Sequence, residues 1–268
     1  MFLKDKVVLI TGASSGIGKA IAIEVAKEGA DIVLVSRREN RLKELAFKLT
    51  TEYGIKTLVL AKDLTNPKEI EETVEETIKE FHHIDYLINS SGIGIFKRAI
   101  EFTYKEIEQL FQINTYAMIY LSQLVSREMI IQNRQGHILF ISSVAGKIAT
   151  PNSSVYSSTK FAVIGYANSL RLELKRFGID VTTINPGPVE TDFFNHDQGS
   201  KDYYERIKSL ALNPQTLARD VTIHLKPSRR KRELNRPRFY NLVEILYKVF
   251  PNIGDKLAGD ILNFKEDV

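Results

Sequence analysis

Six short runs of apolar and β-branched residues recur along the first two-thirds of this chain, most of them separated by longer stretches with helical spacing. That alternation constrains the fold more than any other feature. The runs lie at 6–11 (KVVLIT), 31–36 (DIVLVS), 56–61 (KTLVLA), 84–89 (IDYLIN), 137–142 (HILFIS) and 179–185 (IDVTTIN). They are apolar on both sides rather than alternating, as parallel strands covered on both faces are. Between them, 17–28, 39–53, 67–81 and 154–177 repeat apolar residues at helical intervals. Asn66 before Pro67 reads as an N-cap with proline at the first helical position, and Gly29 and Gly178 stand where helices should stop. Strands alternating with helices of this length predict one α/β domain, a doubly wound parallel sheet with helices on both faces.

Composition removes several function classes. The 268 residues contain no cysteine, which excludes disulfides, thiolate zinc sites and cysteine nucleophiles. The five histidines are scattered, with no pair at metal-ligand spacing, so no metal is assigned. No apolar run approaches the roughly 18 residues of a spanning helix, and the N-terminus runs straight into a strand pattern; the expectation is a cytoplasmic protein. The net charge of +4 is local in origin. Between Lys226 and Arg238 seven basic residues face the single acid Glu233, a net +6 that leaves the rest of the chain at −2. A nucleic-acid-binding surface across the body is not expected.

The turn after the first strand reads Thr11-Gly12-Ala13-Ser14-Ser15-Gly16-Ile17-Gly18. Glycines there permit a tight turn and close approach of backbone to a pyrophosphate, which the helix N-terminus would attract. The same pattern also serves as a purely structural turn. At the tip of the second strand, where an NAD site normally has an acid for the ribose 2′-hydroxyl, stand Arg37 and Arg38. Guanidinium groups suit a 2′-phosphate; the other reading is two solvated charges at a helix entry. Tyr156 and Lys160, four apart, share one helix face, and a fixed cation there would favour phenolate. Ser143, at the end of the fifth strand, faces the ligand crevice of such a fold. From 190 to about 213 the sequence turns polar and irregular, either a mobile lid, with His196 able to touch substrate, or a surface loop.

These motifs, in this order and spacing, resemble the classical short-chain dehydrogenase/reductase family over roughly residues 4–225. The resemblance implies a Rossmann-type fold and an NADP(H)-dependent enzyme that interconverts a carbonyl and an alcohol, working as a homodimer or homotetramer on a small molecule. It implies catalytic roles for Asn114 (proton relay), Ser143 (substrate oxygen), Tyr156 (general acid/base) and Lys160 (ribose contact and tuning of Tyr156). Cofactor contacts are implied at Gly12, Ser14, Ser15, Gly16, Ile17, Gly18, Arg37, Arg38, the pair Asp63-Leu64, Asn89, Ser91 and Gly92, Tyr156 and Lys160, and Pro186, Gly187, Val189 and Thr191. Two departures stand out. The family's Asn-Asn-Ala-Gly loop is Asn89-Ser90-Ser91-Gly92 here, and Ser15 replaces a basic residue common in NADP-preferring members, which leaves Arg37 to carry that preference. A non-catalytic NADP(H)-binding regulatory or scaffold protein is the alternative reading.

Beyond residue 225 the family pattern fades. The best candidate for the family's last strand, 231–235, is heavily charged and a poor match. Phe239, Leu242, Val243, Leu246, Val249 and Phe250 then recur at helical spacing up to Pro251. The sequence therefore predicts a catalytic domain over 1–225 and, over 226–268, a basic segment and an amphipathic helix packed on that domain by its apolar stripe. Contact of 226–250 with an anionic membrane surface is the less favoured reading.

Overall fold

The computed structural model describes residues 1–195 and 198–256. Its seven strands are β1 (Val7–Thr11), β2 (Asp31–Ser36), β3 (Thr57–Ala61), β4 (Tyr86–Asn89), β5 (Gly136–Ile141), β6 (Ile179–Pro186) and β7 (Glu233–Arg236). They form one sheet in the order β3-β2-β1-β4-β5-β6-β7, every neighbouring pair parallel. The chain runs outward from β1 to β3 and then returns to β4, so the crevice between the ends of β1 and β4 is the switch point where such sheets bind ligands.

The helices are α1 (Gly16–Lys27), α2 (Glu39–Tyr53), α3 (Pro67–Phe81), α4 (Tyr104–Phe111), α5 (Ala117–Ile131), α6 (Ser154–Leu174), α7 (Gln198–Ile207), α8 (Pro214–Ile223), α9 (Tyr240–Val249) and α10 (Pro251–Lys256). One core, with Ala22 and Val25 of α1, Leu42 of α2 and Val221 of α8, covers one face of the sheet. A second, with Val74 of α3, Leu121 and Val125 of α5 and Val163 of α6, covers the other. Asn66 caps α3 by accepting from the Lys68 amide, with Pro67 at the first helical position.

The 190–213 segment is more regular than its sequence implies: a 3₁₀ turn over Asp192–Phe194, then α7 and a second 3₁₀ turn over Lys208–Leu210. Its stems are fastened together, Glu190 N donating to Leu212 O and Leu212 N to Pro188 O. His196 lies outside the described residues.

The charged segment after residue 225 does supply the edge strand, β7. Only Leu234 and Asn235 of it are buried, and its flanking cations are engaged by the domain. Arg236 Nε is 2.5 Å from Asp220 and Arg230 is 2.6 Å from Asp180, while Arg232 donates to Asn168. Much of the basic run is therefore paired, and β7 separates its 226–232 portion from α9. Among the described residues no helix is long and apolar enough to cross a membrane.

Candidate active site

The cavity at the switch point has a volume of about 850 Å³ and runs from the tip of β2 past the ends of β1, β4 and β5 to α9. At one end stands the turn between β1 and α1. Gly12 has φ +67°, and a Cβ on it would lie 2.7 Å from the Ser90 carbonyl oxygen, so glycine is required by both conformation and space. A Cβ at Gly18 would lie 2.5 Å from the Gly12 oxygen, which lets α1 run tight against β1. Thr11 Oγ1 accepts from the amides of Ser90 (2.9 Å) and Ser91 (3.0 Å), fastening the β4 loop to this turn. Ser15, the N-cap of α1, makes no side-chain cap bond, so the first-turn N–H groups at the cavity stay available for an anion.

At the tip of β2 the two arginines differ. Arg38 reaches back to the glycine turn, Nε donating to Ser14 Oγ at 3.0 Å and Nη2 to Ser15 Oγ at 2.5 Å. Arg37 is exposed and stands 3.9 Å from Asp63. Asp63 holds the backbone of Thr65, and Leu64 lies beside it in the cavity wall. Arg41 reaches Asp192 of the 190–213 segment at 3.4 Å.

The floor carries Tyr156 and Lys160, both buried on α6. Burial pushes the Tyr156 phenol up to about 12, against an opposing hydrogen bond from Ser143. Burial likewise brings the Lys160 ammonium down to about 8. Lys160 Nζ donates to Ile141 O at 3.2 Å and lies 5.7 Å from the Tyr156 ring centre. Desolvation is thus the larger influence on Tyr156 in the ligand-free cavity. Phe96 and Phe193 flank the Tyr156 ring, with centroids 5.3 and 5.8 Å away. Ser143 caps the turn Val144–Gly146 by accepting from Ala145 N.

Most of the expected site residues converge on this cavity: Gly12, Ser14, Ser15, Gly16, Ile17, Gly18, Arg37, Arg38, Asp63, Leu64, Ser91, Gly92, Ser143, Tyr156, Lys160, Pro186, Gly187, Val189 and Thr191 all line it. Asn89 and Asn114 do not. Asn89 is buried beneath the β4 loop, donating to Ser122 of α5 at 3.0 Å. Asn114 sits in a π-helical turn over Gln112–Tyr116 between α4 and α5. Its amide clamps the backbone of Ile93, accepting from N and donating to O at 2.9 Å each, and donates also to Thr159 Oγ1. Such π-turns concentrate at functional sites.

The reading by motif missed the apolar walls, among them Ile93, Phe96, Ile148, Phe193, Ile207 and Val243. In one dimension these residues look like core, and only the Phe193-Phe194 pair inside a polar segment gave a signal. Among the described residues no cluster could hold a metal ion.

Residues 6–201 match the short chain dehydrogenase family. An uncharacterized oxidoreductase of Staphylococcus epidermidis is 35% identical over 211 residues, 79% of this chain and 88% of that protein. An 11-beta-hydroxysteroid dehydrogenase of Pinus massoniana is 32% identical over 265 residues, 94% of this chain and 73% of that one. Among solved structures, a short-chain dehydrogenase from Sphingobium yanoikuyae in complex with NADPH superposes with a TM-score of 0.79 at 30% identity, over 92% of this chain and 94% of that chain. Complexes with NAD and NADH also occur among the solved structures of this fold. The chain belongs to the short-chain dehydrogenase family of oxidoreductases.

Proposed function

We propose that this protein is an NADP(H)-dependent oxidoreductase that interconverts a ketone or aldehyde and an alcohol, with Tyr156 as general acid/base. The observation that carries the reading is the burial of a tyrosine and a lysine together in the cavity floor, with Ser143 lining the same cavity. Burying an ammonium on one backbone carbonyl costs stability; a ribose contact alone would repay part of that, but cofactor binding needs no buried tyrosine beside it. The joint burial of Tyr156 and Lys160 therefore favours the catalytic reading over a non-catalytic NADP(H)-binding protein.

The residues fit a dinucleotide. The uncapped N-terminus of α1 and the glycine turn suit its pyrophosphate, and Asp63 and Leu64 its adenine side. A Cβ at Gly92 would come within 3.1 Å of Asn114 Oδ1 and 3.7 Å of Lys160 Nζ, so glycine keeps open the space in which Lys160 would meet a ribose. Val189 and Thr191 would hold the carboxamide and phosphate. Preference for the 2′-phosphate is supported by Arg37 and Arg38 and by the absence of an acid from Val35-Ser36-Arg37-Arg38. When bound, the nicotinamide supplies or accepts a hydride at C4.

The chain's own groups handle the proton. Ser143 orients the substrate oxygen, and Tyr156, held as a phenol at neutral pH, donates its proton to a carbonyl oxygen undergoing reduction. Lys160 stabilises the phenolate left behind, and Asn114 acts one layer back by fixing Ile93. The test is NADPH and NADH consumption against a carbonyl panel. Tyr156→Phe should lower turnover at least about 10²-fold with NADPH binding retained. Near-normal turnover in that variant would sink the mechanism.

A further inference from the structure

Helix α9 is anchored on the domain by its polar face, and only part of its apolar stripe turns toward the cavity. Its one buried residue is Glu244, while Leu242, Ile245 and Val249 are 62%, 58% and 60% exposed. The polar face is the anchor. Glu244 meets Lys147 at 2.7 Å and accepts from Asn235 at 3.2 Å, and Asn241 accepts from the same Asn235 amide. A third face, with Tyr240, Val243, Tyr247 and Phe250 at helical intervals, lines the cavity that holds Tyr156 and Lys160. What the polar anchor holds in place is an apolar wall.

The charges around the cavity are unevenly placed. Apart from Lys160, its charged lining residues are Arg37, Arg38, Lys62 and Asp63 at the glycine-turn end, and Asp192, which pairs with Arg41. Between 93 and 150, and from 193 to 254, no described lining residue is charged. A charged substrate group there would lose its hydration and find no partner. Phe250 and Ile253, 52% and 59% exposed, belong both to the lining and to the outer surface, so the apolar wall continues out to the entrance.

Resting on the oxidoreductase reading above, we infer that the substrate is a large, neutral, lipophilic carbonyl compound or its alcohol, bound along the α9–α10 wall. Selectivity then comes from apolar area, with Val243, Leu246 and Phe250 reading the part of the molecule remote from the reacting carbon.

The experiment is a series of straight-chain methyl ketones from four to twelve carbons, plus an ω-carboxylate analogue of the longest, assayed with NADPH and NADH. In the wild type kcat/KM should rise by about threefold per added methylene until the wall is covered, and the carboxylate should fall at least about tenfold below its neutral counterpart. Val243→Asn and Leu246→Asn should each flatten the slope. Calorimetric binding of the longest ketone to the cofactor-loaded protein separates the two readings. Turnover without a chain-length slope, or a preferred carboxylate, overturns the lipophilic assignment alone. Tight binding with negative heat capacity but no turnover keeps that assignment and overturns the oxidoreductase reading, and neither binding nor turnover overturns both.

Discussion

The Lys147 ammonium lies 2.7 Å from a carboxylate oxygen of Glu244 and 2.7 Å from one of Glu233. Lys147 follows Ser143 by four residues, so one buried cation joins the turn carrying the site serine to both α9 and β7. Asn235, bonded to Asn185 of β6 as well as to Glu244, completes the junction.

Glu244→Ala should lower unfolding stability by about 1–3 kcal/mol, less than the loss of a fully unpaired buried charge because Lys147 keeps Glu233. Burial raises the Glu244 pKa, but hydrogen bonds from Lys147 and Lys248 outweigh it and hold the carboxyl below its ordinary range. A depressed folded pKa contributes stability that is present above the unfolded value and lost as pH falls through the folded one. The gap between wild type and variant, measured by urea unfolding, should therefore close as pH drops below about 4.5. A gap unchanged down to pH 3 would contradict the ion pair.

Cofactor choice should follow Arg38 more than Arg37. Arg38 is held against Ser14 and Ser15, whereas Arg37 is exposed beside Asp63. Arg38→Ala should reduce kcat/KM for NADPH by on the order of 10²-fold and leave NADH nearly unchanged; Arg37→Ala should cost about tenfold or less. Equal efficiency of the wild type with both cofactors would refute the NADPH preference.

Lys160→Met should stabilise the ligand-free protein while abolishing turnover. Burial lowers the lysine from 10.5 to about 8, so the cost of the buried charge is present in full below pH 8 and disappears as pH rises toward 10.5. The variant should gain about 2–3 kcal/mol at neutral pH, a gain that vanishes by about pH 10.5. Urea midpoints at the two pH values decide it, and a variant less stable at neutral pH would show that the hydrogen bond to Ile141 outweighs desolvation.

His137 should make the fold sensitive to mild acid. It is fully buried in β5, with Nε2 2.8 Å from Thr182 Oγ1, and burial holds its pKa well below 6.5. Below about 6.5 the unfolded chain binds a proton that the folded chain refuses, so stability falls by about 1 kcal/mol per pH unit once pH drops under that value. His137→Gln should remove that dependence between pH 6.5 and 5; an identical pH slope in the variant would exclude His137 as its source.

The strands and most of the long helices were legible in the sequence because their signals are local. Two-sided apolarity marked β1 through β6, and Asn66-Pro67 marked the start of α3. The glycine turn, Ser143 and the Tyr156–Lys160 pair were legible as well, because close approach and one-turn spacing leave chemistry in adjacent letters. Asn114 could be found by motif, but not its π-turn or its clamp on Ile93, since both depend on a loop 21 residues away.

Helix α9 marks the boundary between the two kinds of information. Its periodicity alone determined that an amphipathic helix forms there, just as the alternating runs determined a parallel sheet with a crevice at its switch point. Which face of α9 turns inward was decided only in three dimensions. Lys147, 97 residues away in sequence, offers a buried cation that Glu244 shares with Glu233, and the cavity beside Tyr156 takes its apolar wall from the same helix. The second carboxylate that Glu244 brings to the buried Lys147, with its bond from Asn235, favours the polar face inward, and the helix leaves part of its apolar stripe outside.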